Sequence, residues 1–163
     1  MRLKRSALAL CMVSVLAMAG AVSVAGVAAM AEQGRVAACS LLSRESVAKV
    51  TTPASKYILD AKPSEEPVGA KWSSCSYADL MLQVDPFARP DELRKAPGKD
   101  WQPVTGVGAA AYFRNNSDRF AELMAWSGAH HFTIQVGVPS DSTADKVKPG
   151  LIALANTIVA KLK

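Results

Sequence analysis

His130 and His131 are the only histidines of this 163-residue chain, and paired imidazoles invite a metal site or a general base. Neighbouring residues on a strand point to opposite faces, so the two rings do not converge on one ion. His130 is in phase with Phe132 and Ile134, His131 with Thr133 and Gln135. With no further imidazole to complete a ligand set, no metal is expected. Asp79 and Glu122, both expected on strands, are the carboxylates that would serve a hydrolytic pair. The serines lack a G-x-S-x-G turn. Gly106-Val107-Gly108 lacks the third glycine and following helix of a dinucleotide fingerprint, no Gly-Lys-Ser/Thr is present, and no cofactor is expected. Asn115-Asn116-Ser117 matches a glycosylation sequon and equally well describes a polar turn. Trp101, Tyr77, Trp126 and His130 are the side chains best suited to a ligand surface. Trp101 leads them because it falls in a loop, where binding residues concentrate.

Of the three cysteines, Cys11 lies in an apolar N-terminal run, which leaves Cys39 and Cys75. Two thiols in an exported chain most simply form one disulfide. They lack the C-x-x-C spacing of a redox pair and the extra ligands of a metal site.

The N-terminal run sets the compartment. Arg2, Lys4 and Arg5 precede residues 6 to 31, which carry no charge. A basic n-region, an apolar stretch densest from Leu8 to Ala17, and small residues at Ala17-Met18-Ala19, Ala19-Gly20-Ala21 and Ala29-Met30-Ala31 form the pattern of a secretory signal peptide. The favoured cleavage follows Ala31, giving a signal peptide over 1–31, a short tether over 32–38 and a single domain over 39–163. Two other fates stay open. One is an uncleaved membrane anchor, for which about 20 apolar residues suffice. The other is acylation of Cys39 after Val36-Ala37-Ala38, although Glu32 to Arg35 separate that motif from the apolar core. The membrane is a partner only in those two cases, and in all three the domain leaves the cytoplasm for the periplasm or the exterior.

The formal charge is +5. The label holds three of the bases and none of the acids, so the remainder is close to neutral. Arg89, Arg94, Lys95 and Lys99 make only a loose group interrupted by Asp91 and Glu92, unlike the clustered basic surface of a nucleic-acid binder. Nucleic acid is not an expected partner.

The elements that must position these residues follow from periodicity. Ser43 and Glu45 open an N-terminal helix that Pro53 ends. A short strand is expected over 56–61, a loop over 62–70, and one long strand over 72–84 with Ala78, Leu80, Leu82 and Val84 on one face and Tyr77, Asp79, Met81 and Gln83 on the other. Pro90 suits the first turn of a short helix within 86–95, and 96–104 reads as a loop. Strands are expected over 107–114, 119–126 and 130–138, joined by a polar turn over 115–118 and a Ser127-Gly128-Ala129 hairpin loop. Ser142-x-x-Asp145 starts a closing helix in which Leu151, Leu154, Ala155, Ile158 and Leu162 form the buried stripe, while Asn156, Thr157, Lys161 and Lys163 face water. This order predicts an α+β fold: an antiparallel sheet of about five strands with an N-terminal helix and a long C-terminal helix packed on it.

Ala38-Cys39-Ser40-Leu41-Leu42-Ser43-Arg44-Glu45-Ser46-Val47, Cys75-Ser76-Tyr77 and the segment from Gly106 to Phe113 resemble small exported bacterial proteins and lipoproteins of unknown function that carry a Cys-x-Leu-Leu motif. The likeness covers most of residues 38 to 162. It implies a disulfide-tied α+β fold, in some members an α-β-α sandwich, and extracytoplasmic binding or sensing; it supplies no catalytic residues. The sequence therefore points to a non-enzymatic exported module that binds a small molecule, an envelope component or another protein. A small extracytoplasmic hydrolase using Asp79, Glu122 or His130 is the alternative, and a structural envelope protein a third.

Overall fold

Apolar side chains recur at every second position in Leu80-Leu82-Val84, Leu123-Ala125 and Phe132-Ile134-Val136, and each of these is at most 2% exposed. Such alternation builds strands with one buried face. A computed structural model describes residues 36–51, 59–68, 72–85, 95, 97–117 and 119–163. Within them the strands are β1 (Ser64–Val68), β2 (Trp72–Tyr77), β3 (Leu80–Asp85), β4 (Gln102–Pro103), β5 (Ala110–Ser117), β6 (Phe120–Ser127) and β7 (His130–Gly137). They form one seven-stranded sheet in the order β1-β2-β3-β7-β6-β5-β4. All its pairings are antiparallel.

The helices are α1 (Ala38–Leu41), α2 (Arg44–Ala48) and α3 (Ala144–Lys161). α3 packs on β6 and β5, α1 on β2 and β3, and α2 against α3. Their buried residues, Leu41, Val47, Leu151, Leu154 and Ile158 among them, join the inward row of the sheet in one core. The described helices thus cover one face of the sheet.

The expected layout is corrected in several places. The sheet has seven strands rather than about five. The expected N-terminal helix is two short helices of four and five residues, separated by extended backbone at Leu42 and Ser43. Ser43 does cap the second, accepting from the Ser46 backbone N–H while Ser46 Oγ accepts from Ser43 N. The five-strand arrangement does not describe the chain, and among the described residues no helix lies on the second face to make an α-β-α sandwich.

Local boundaries move as well. The loop expected over 62–70 contains β1, and the loop over 96–104 contains β4. The strand expected over 56–61 is not formed at Leu59 and Asp60, which make a 3₁₀ turn; its first residues, 56–58, lie outside the described residues, as do the N-terminal label and the expected helical turn over 86–94. The single strand expected over 72–84 is a hairpin, broken at Ala78-Asp79. α3 is capped at Thr143 without a side-chain bond and runs through Pro149.

One end of the sheet is stapled three ways. Cys39 and Cys75 form a disulfide between α1 and β2 across 36 positions. Glu65 stands opposite Cys75 on β1 and its carboxylate accepts from Ala38 N at 2.7 Å and Cys39 N at 2.5 Å. Ser73 Oγ accepts from Ala38 N and donates to the Val36 carbonyl. The first turn of α1, whose N–H groups have no partner within the helix, is thereby satisfied.

Candidate functional site

The sheet separates the side chains expected to act together. Tyr77, Leu80, Leu82 and Val84 share the helix-covered face, because the Ala78-Asp79 turn reverses the chain between β2 and β3. Tyr77 is buried there and its hydroxyl donates to the Leu59 carbonyl at 3.0 Å. His130 is in phase with Phe132 and lies on the same face, but six residues along β7 from the row of Tyr77 and Val136. At ~3.3 Å per residue that is ~20 Å. Trp126, Glu122 and Trp101 occupy the opposite face. The expected ligand surface of Trp101, Tyr77, Trp126 and His130 is therefore not one surface.

On the face that no described helix covers, Arg114, Glu122 and Gln135 lie side by side on β5, β6 and β7. Glu122 is 8% exposed. Its carboxylate accepts from Arg114 Nε at 2.6 Å, Asn116 Nδ2 at 2.7 Å and Gln135 Nε2 at 3.1 Å, and Arg114 Nη2 adds a second guanidinium contact. The Arg114 guanidinium sits 4.5 Å above the Trp101 ring. Trp126 meets His131 at 4.8 Å and Tyr112 edge-on at 6.0 Å. A carboxylate with both oxygens occupied by several donors is built to hold strands together, not to exchange a proton with a substrate.

Asp79 does not join Glu122. Its backbone oxygen accepts from Gly137 N, whereas Glu122 is opposite Gln135. Two strand spacings and a two-residue offset put their backbones ~12 Å apart. Glu122 and His130 point to opposite faces. The three groups considered for hydrolysis do not converge. Cys39, Cys75 and Glu65 bring possible metal-ligating atoms within 4.8 Å of one another, but the sulfurs are bonded to each other and the carboxylate is engaged by two N–H donors.

At the end of the sheet away from the Ala78-Asp79 turn, the structure opens a groove of about 440 Å³ between the last turns of α3 and two glycine-containing loops. Gly106, Gly108 and Gly128 form its bare walls; Ser127, Asn156 and Lys163 bring polar groups, and Val159 an apolar patch. Its volume falls in the range of small-molecule sites. Ser127 is 4% exposed, and no described residue hydrogen-bonds its hydroxyl. His130 is its partner across the hairpin, with a buried Nδ1 that also lacks a partner.

The sequence reading missed this groove. In sequence Gly106 and Gly108 read only as backbone at a strand entry; Asn156 and Lys163 read as facing water, and both are exposed. Asn156 and Val159, three apart, share a face of α3, and Lys163 follows just past its end. The sequence reading also missed Arg114, Asn116 and Gln135 as the partners of Glu122, because the turn of the β5–β6 hairpin was placed over 115–118. The strands in fact extend to Ser117 and from Phe120, which sets Arg114 opposite Glu122.

No family model matches the chain, and no curated protein or solved structure shows significant similarity to it. Among the described residues no helix is long and apolar enough to cross a membrane.

Proposed function

We propose that the protein is an exported, non-enzymatic binding module whose ligand is a small polar molecule seated in the groove between α3 and the glycine loops. The observation that carries this reading is Ser127. The residue is 4% exposed, yet its hydroxyl has no partner among the described residues and opens on a recess large enough for a ligand that would supply the bond. Export is supported by the basic and apolar N-terminal run and by the disulfide, which persists in oxidising compartments. Binding is favoured over hydrolysis because Asp79, Glu122 and His130 stand apart and Glu122 is fully engaged.

Thermal unfolding of the purified protein against a panel of small metabolites and envelope fragments tests this. A ligand at ten times its Kd adds about 1.4 kcal/mol, a rise in Tm of a few degrees. Ser127→Phe, which fills the groove, is expected to abolish that rise while the disulfide-reduced protein simply melts earlier. No shift with any compound in the panel would favour a purely structural envelope role instead.

A further inference from the structure

Resting on the reading of this groove as the ligand site, we infer that it holds an anionic group, a carboxylate or a phosphate, on the ligand. The inference starts from the backbone. Gly106 has φ +79° and Gly108 φ +55°, and Val107 between them has an ordinary negative φ. A turn of this kind is the backbone from which nests, concave anion-binding arrangements of successive N–H groups, are built. Among the described residues none of the N–H groups of Gly106, Val107 and Gly108 donates to a protein acceptor.

The loop is held rigidly in that shape. Val107 is 2% exposed and belongs to the core. Ala109 N donates to the Trp126 carbonyl at 2.8 Å, and a Cβ on Gly108 would stand 2.2 Å from the same oxygen. The donors are thus set before a ligand arrives, so little ordering cost falls on binding.

Ser127 is the independent observation. Its hydroxyl, without a partner among the described residues, opens on the same groove from the neighbouring hairpin and is free to donate. Lys163 supplies the one charged side chain of the lining. The carbonyl end of α3 contributes partial negative charge on that side, which the ammonium of Lys163 offsets. The glycine side thus presents donors, which an anionic oxygen, accepting several at once, satisfies more strongly than a neutral hydroxyl does.

The test uses the full chain, expressed for export, labelled with ¹⁵N and titrated separately with sodium phosphate, sodium acetate and mannitol. Saturable movement of the Gly106, Val107 and Gly108 amide signals with one of the anions is expected, and which anion acts distinguishes phosphate from carboxylate. Ser127→Ala and Lys163→Met should each weaken that binding about threefold or more, while Lys146→Met, an equal loss of charge at the other end of α3, should leave it unchanged. Saturable movement with mannitol and none with either anion overturns the anion assignment but keeps the binding module. Shifts that do not saturate, or that Lys146→Met weakens as much as Lys163→Met, also overturn it. No response to any of the three, in a protein whose spectrum is otherwise folded, overturns both.

Discussion

Ala78 carries the only positive φ of a non-glycine among the described residues, +57°. It stands at the first central position of the β2–β3 turn, where a hairpin favours glycine. Such strain costs of the order of 1 kcal/mol, so Ala78→Gly is expected to raise stability by about 0.5–1 kcal/mol, read as a higher urea midpoint with unchanged slope. The same residue explains why the hairpin was illegible in the sequence: Ala-Asp is not turn chemistry, and Ala78 continued the apolar alternation into Leu80. Gly108 is the converse case. Its φ and its approach to the Trp126 carbonyl both exclude a side chain, and Gly108→Ala is expected to lower stability by at least ~2 kcal/mol. Calorimetry showing no loss would contradict the close packing of that loop. Gly108 was visible in the sequence as a glycine, but what it approaches depends on β6, far along the chain.

Among the hairpins, β5–β6–β7 is tied by Glu122. Replacing it with Gln removes the charge that Arg114 faces on a largely buried row; with Arg114 still about a third exposed, the expected cost is about 2 kcal/mol. A double-mutant cycle with Arg114→Met should show that most of it is coupling between the two. The other end depends on Cys39–Cys75. The chain-entropy account of a loop spanning 36 positions gives about 3–4 kcal/mol, so Cys39→Ser with Cys75→Ser should melt well below the native protein. Glu65→Ala, which strips α1 of two N–H acceptors, should cost less, about 1–2 kcal/mol. These elements were unequally readable. β6 and β7 announce themselves by alternation. β1 does not: Ser64-Glu65-Glu66-Pro67-Val68 has the composition of a loop, and it is a strand because its edge position tolerates charge and proline. The short helices α1 and α2 merged into one in the sequence because Leu42 and Ser43 fit either a cap or a helix interior.

For the molecule as a whole, one sheet divides the chemistry. Helices close one face over the core, Trp101, Trp126 and Glu122 lie on the other, and the groove opens at the end where glycine loops meet the last turns of α3. The cysteine pairing was legible from arithmetic alone, since only two thiols remain outside the N-terminal run. The groove was not, because it is assembled from residues 106–109, 127–128 and 156–163, and only tertiary structure brings these together. The account depends on the protein working outside the cytosol with that bridge closed. Intact-mass measurement on protein recovered from fractionated producer cells, without reductant, tests this most directly. The expected species is extracytoplasmic, lacks the first 31 residues and is two hydrogen masses lighter than the dithiol form. A full-length cytosolic chain with Cys39 and Cys75 both free would contradict it.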